Sequence, residues 1–138
     1  MAFQNLIKAS RAVVALTGGS TGAATGVIIT VGKAEAIHLT QFIGDNTGAG
    51  VTLTLSGSTT SAFSASATLA TVASTGKNGL LELELAKPTY PYVRVACNST
   101  GTAAAAVGAV IAHLHGVGVM PTTSPSTDVL SQTFAVCT

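Results

Sequence analysis

Charge is what this sequence has least of. Asp, Glu, Lys and Arg make up 8% of its 138 residues, and the net charge is +1. An average soluble domain carries roughly 25% charged residues. No basic block exists that would grip a phosphate backbone or an anionic membrane, so neither nucleic acid nor membrane is an expected partner. Tryptophan is absent and aromatics are only 4%, which leaves little surface for stacking on sugars. The two cysteines, Cys97 and Cys137, are far apart and lack metal-type spacing. Cys97 lies in a strand-like run and reads as a small core hydrophobe. A Cys97–Cys137 disulfide is compatible with the sequence but does not follow from it. Near the N-terminus the apolar run 12–16 is shorter than a secretory core of about seven to fifteen residues. No run approaches the roughly twenty apolar residues of a membrane span. The expectation is a soluble chain made in the cytoplasm.

Ser and Thr fill the space that charge leaves, at about a quarter of the residues. Threonine is β-branched and polar at once, so it suits the wet face of a sheet. A nearly uncharged surface repels its own copies weakly. That fits a protein packed in an assembly, and equally a secreted protein with a Thr-rich exterior. Apolar residues reach 47%, and the length is enough for one domain with its own core.

The stretch 79–98, GLLELELAKPTYPYVRVACN, organises the rest. Leu81, Leu83 and Leu85 alternate with Glu82 and Glu84, the period-2 mark of a strand with one face buried and one wet. Tyr92 to Cys97 is a second strand, rich in β-branched and aromatic residues. Between them Pro88 and Pro91 cannot donate to a sheet ladder, so KPTYP is a turn or crossing at a sheet edge. The predicted core is Leu81, Leu83, Leu85, Val93 and Val95.

Turn signals recur along the remainder. Residues 11–16 are a candidate first strand, and TGGSTGAATG over 17–26 reads as a flexible loop. Residues 27–31 form a strand. In AEAIHLTQFI, Ile37, Leu39, Gln41 and Ile43 share one face, and Ala36, His38, Thr40 and Phe42 the other; the period does not say which is buried, and helix competes. GDNTGAG is a hairpin connection. Residues 51–56 alternate cleanly, 57–66 form a polar loop carrying Phe63, and 67–73 are a weaker strand. Asn78-Gly79 tolerates positive φ in a turn. AAAAVGAVIAHLHG at 103–116 mixes helix-favouring alanines with β-branched residues, and strand is preferred because turns fall every eight to twelve residues. Seven or eight short strands predict a single-domain, all-β, antiparallel sandwich of jelly-roll or Ig-like type, with extended N- and C-terminal segments. The expected division is 1–25 as an N-terminal segment and loop, 26–116 as the sandwich, and 117–138 as an extended C-terminal arm beyond PTTSPS.

No motif announces a reaction, so no catalytic residue and no cofactor is expected. His113-x-His115, with His38, offers three imidazoles for zinc; a polar strand face is preferred and no metal is expected. Glu82 and Glu84 form a carboxylate pair that suits acid/base work, but they read more simply as the wet face of an amphipathic strand. The Gly-rich loop lacks a P-loop ending. Asn98-Ser99-Thr100 is a glycosylation sequon, a cheap match in a Thr-rich chain.

The segments GDNTGAGVTLTLSGS, STGKNGLLELEL, KPTYPYVRVAC and NSTGTAAAAVGAVIA together resemble small β-sandwich decoration proteins of tailed bacteriophages, also called cement or head-stabilisation proteins. The likeness spans about three fifths of the chain and is a pattern of strands and turns. It implies a structural virion protein on the outer capsid surface, bridging capsomers and binding the major capsid protein, and it assigns no active site. A carbohydrate-binding head fibre or adhesin is the alternative. Apolar residues on terminal segments need somewhere to go. Phe3, Leu6 and Ile7 at one end, and Val129, Leu130, Phe134 and Val136 at the other, are therefore candidate interface residues of a homo-oligomer. A trimer is favoured and a dimer remains open.

Overall fold

The computed structural model describes residues 11–16, 22–32, 34–44, 50–75, 78–99, 107–115 and 129–136. Among these every regular element is a strand: β1 (Arg11–Leu16), β2 (Gly22–Thr30), β3 (Ala36–Ile43), β4 (Val51–Ser58), β5 (Ala67–Ser74), β6 (Gly79–Ala86), β7 (Tyr92–Ser99), β8 (Val107–His115) and β9 (Val129–Val136). One sheet has the order β1-β8-β3-β6-β9, the other β2-β7-β4-β5.

Pairing in the first eight strands is nested. β4 pairs with β5, β3 with β6, β2 with β7 and β1 with β8, all antiparallel. This is one long hairpin folded at the β4–β5 turn and rolled into two sheets. Further antiparallel pairs, β3 with β8 and β4 with β7, stitch the roll together. The chain is thus a jelly roll, which resolves the choice between jelly-roll and Ig-like. The turn at the tip of the hairpin is held by its own hydroxyls. Thr60 N–H donates to Ser58 Oγ (3.2 Å) and Ser64 N–H to Thr60 Oγ1 (3.4 Å).

The core lies between the sheets. From one side come Ile37, Leu39, Ile43, Leu81, Leu83, Leu85, Val110, Ala112 and Leu114; from the other Val51, Leu53, Leu55, Val72, Val93, Val95 and Cys97. Leu81, Leu83, Leu85, Val93 and Val95 are buried as expected. The strand over 36–43 turns its Ile37/Leu39/Ile43 face inward and carries Gln41 with it. Gln41 is fully buried, and its Nε2 donates to Gly108 O (3.1 Å) and lies 3.5 Å from Cys97 Sγ on the opposite sheet. Those contacts offset the desolvation of an amide in an apolar core. Cys97 is free and buried, as a small core residue, and burial pushes its thiol pKa up.

Three segments differ from the sequence reading. β2 starts at Gly22, inside the stretch expected to be loop, and pairs with β7 from Ser99 inward. Its register shifts between Thr25 and Ile28, a bulge next to Gly26. A Cβ on Gly26 would stand 2.0 Å from Ala15 O, so glycine is what lets β2 cross this close to β1. β4 runs on to Ser58, which shortens the expected polar loop to 59–66; Phe63 lies on that loop as expected, but buried and with φ 54°. Residues 129–136 of the expected C-terminal arm form β9, which pairs parallel with β6 in the same sheet. Asn78, with φ 56°, takes the left-handed conformation expected ahead of Gly79.

Candidate functional site

The two sheets turn unlike faces outward. On the four-stranded sheet, pairing aligns Thr25, Ala96, Thr54 and Thr71 in one row, and Ala23, Asn98, Thr52 and Ala73 in the next. These residues are exposed or half-buried, and none carries charge. The next row is Ile28, Arg94, Ser56 and Thr68. Its one charge is engaged, because Arg94 Cζ lies 4.4 Å from the centre of the Phe63 ring, a cation–π contact. The result is a Thr/Ala-rich face with two uncharged rows and one cation, Arg94, stacked on Phe63, set by threonines alternating with core residues along each strand.

The five-stranded sheet gathers the titratable groups. One outward row runs His113, His38, Glu84 and position 134; its neighbour runs Val14, Ile111, Thr40, Glu82 and position 132. His115 lies in a third row, opposite Ala36. All three histidines of the chain therefore share this face. The His113 and His115 rings stack with centroids 6.4 Å apart. His38 Nε2 is 3.6 Å from Glu82 Oε1, beyond hydrogen-bond reach. Desolvation lowers the pKa of His38 against the pull of Glu82, so the pair is not an ion pair at neutral pH. Burial, and then His113, lower the pKa of His115.

Glu82 and Glu84 do not sit on a wet face. Glu82 is 9% exposed and Glu84 1%, and neither carboxylate oxygen of Glu84 has a hydrogen-bond partner. Burial, with Glu82 beside it, pushes the pKa of Glu84 up to about 7. The alternation in the sequence correctly separates the glutamates from the leucines, but the second face is covered too. Among the described residues no three His, Cys, Asp or Glu side chains converge as a metal site.

Of the candidate interface residues, Val129, Leu130, Phe134 and Val136 lie in β9; Val129 is in register with Leu80, Phe134 with Glu84 and Val136 with Ala86. Phe3, Leu6, Ile7 and Cys137 lie outside the described residues. Tyr90 is half-buried against the strand below it: a Cβ on Gly57 would stand 2.7 Å from Tyr90 Cγ. The Cβ–Cγ end of the tyrosine thus packs on β4. Sequence reasoning missed the exposed Val14, Val27, Ile28 and Phe42. Phe42 was visible as the large apolar residue on the His38 face, but nothing in the sequence said which face of β3 would be outside.

No protein-family model matches this sequence, and no curated protein is similar to it. Solved structures do share its fold. The crystal structure of the PBSX exported protein XepA superposes with a TM-score of 0.55 over 91% of this chain, at 15% sequence identity. The match takes in 43% of the XepA chain, so this chain spans under half the length of that neighbour. At that identity the likeness is one of fold. No helix among the described residues is long and apolar enough to cross a membrane.

Proposed function

We propose that this chain is a structural, non-enzymatic virion protein that decorates the outer surface of a tailed-phage head and stabilises the shell by bridging capsomers. The observation that carries the reading is the pair of uncharged rows on the outer face of the four-stranded sheet, Thr25, Ala96, Thr54 and Thr71 beside Ala23, Asn98, Thr52 and Ala73. Interface cores are depleted of charge, and a face of small uncharged side chains lies against another protein without leaving a buried charge unpaired. The likeness in fold to an exported protein of the phage PBSX supports a phage-related setting. Binding only to the assembled shell stabilises it by mass action, and many copies on one particle multiply weak contacts.

The test is electron microscopy and heat stability of heads made with and without the protein, together with pelleting of the purified chain on bare heads. The expected result is extra density on the outer shell, a higher disruption temperature, and loss of pelleting in Thr25→Lys/Ala73→Lys. Heads identical with and without the protein, and no pelleting of the unsubstituted chain, would reject the reading.

A further inference from the structure

β9 stands outside the logic of the rest of the fold. The nested pairs of β1 to β8 complete a jelly roll without it. β9 alone among the described strands pairs in parallel; it pairs only with β6, and the register shifts between Leu80 and Leu81. Parallel pairing is slightly weaker per residue than antiparallel. At the middle of this seam lies Glu84, buried and without a hydrogen-bond partner, in register with position 134. The seam is nevertheless a built seat. Ala135 packs against the core, and β9 also lies against β5, the edge of the opposite sheet.

The connection to this seat is long. β8 ends at His115 and β9 begins at Val129, with residues 116–128 between them. Through Ala36, His115 lies in the row of Ala86, whereas Val129 is in the row of Leu80 at the other end of β6. The span is about 20 Å along the strands and about 14 Å across three strand spacings, or about 25 Å in all. The connecting residues reach about 45 Å when extended. The connection is therefore about 20 Å longer than the span needs, enough slack for the strand to pass to the β6 edge of a molecule packed beside this one.

We propose that the occupant of this seat in the oligomer is a second copy of the chain: β6 of one copy accepts Val129–Val136 of another. Exchange of an identical element keeps every contact of the seam while joining the copies, the low-cost route to an oligomer. The donor's own jelly roll keeps all its pairs. With a net charge of +1, copies repel weakly on approach. The proposal stands apart from the virion reading, since it concerns how copies join and not what they bind.

Ala86 and Val136 are register partners, so Ala86→Cys and Val136→Cys report on the seam in a Cys137→Ser background. The two single variants are co-expressed and oxidised, and the double variant serves as the control for register. The expected result is a disulfide-linked heterodimer from the mixed singles, and multimers from the double variant. A double variant that closes within one chain, with no heterodimer from the mixture, overturns the proposal. Light scattering of the full-length chain is the second arm. An oligomer that falls to monomer when Thr133→Pro interrupts the β9 ladder supports exchange. A monomeric unsubstituted chain, or an oligomer that ignores Thr133→Pro, overturns it.

Discussion

Glu84→Gln removes a proton equilibrium from the middle of β6 and leaves side-chain volume nearly unchanged. In the folded chain Glu84 titrates at about 7, against an ordinary 4.5, because its carboxylate is buried beside Glu82. The sign follows from linkage. Between pH 4.5 and 7 the unfolded chain releases the Glu84 proton and the folded chain holds it, so stability falls as pH rises and levels off above 7. A difference of about 2.5 pH units is worth about 3 kcal/mol at 1.36 kcal/mol per unit. Glutamine cannot ionise, and it buries a polar group in the same place. The variant should therefore match the parent near pH 4.5 and exceed it by up to about 3 kcal/mol at pH 8. His38 and His115, with lowered pKa values, act in the opposite sense: they remove stability as pH falls below 6.5. Glu84 is not among the causes of either shift, so their contribution cancels in the difference between the two proteins. Urea unfolding at pH 5, 6, 7 and 8, with the slope m checked for constancy, reads that difference directly. Parallel stability curves for parent and variant would refute the reasoning, because they would mean that Glu84 ionises as freely in the folded chain as in the unfolded one.

Three further outcomes are expected. Leu83→Ala, at a fully buried position, should lose about 2–5 kcal/mol in denaturant unfolding; a loss under about 1 kcal/mol would contradict the core assignment. Gly26→Ala should destabilise by about 1–3 kcal/mol, since the new Cβ meets the Ala15 carbonyl at 2.0 Å, and the change in unfolding midpoint measures it. In a Cys137→Ser background, Cys97 should resist a thiol reagent until the protein unfolds, because it is buried and its pKa is raised; labelling at the rate of a free thiol would place it at the surface.

The leucines of β6 were legible because period-2 alternation reports which residues share a face. Alternation does not report what covers the other face, and Glu82 and Glu84 were misplaced for that reason. The first half of β2 was illegible because Gly22, Ala23, Ala24 and Thr25 have no apolar rhythm; their strand exists through pairing with β7, far along the chain. β3 showed both its faces but not their direction, which depends on the opposite sheet supplying Leu53, Val95 and their neighbours. The apolar character of residues 129–136 was plain, but parallel pairing with β6 is a long-range fact that no local pattern carries. The outer cluster of His38, His113 and His115 was suggested by spacing alone; the cross-strand register that joins His38 to His113 was not in the sequence of either strand.

The nested pairing has a consequence for how the chain is made. None of β1, β2, β3 and β4 pairs with another of the four; each finds its partners among β5 to β8. When the chain has emerged as far as residue 58, four of the described strands are therefore out without any of their ladder partners. The first closure open to the chain is the β4–β5 hairpin, across the short hydroxyl-held turn at 59–66. Each later nested pair closes a longer loop, and β1 with β8 the longest. Loop entropy grows only slowly with length, but non-local pairing sets the pace of folding. Throughout synthesis of its first half the nascent chain shows open, nearly uncharged strand edges, the kind that pair with other chains. The order of the strands thus leaves the first half of the chain without ladder partners until the second half emerges.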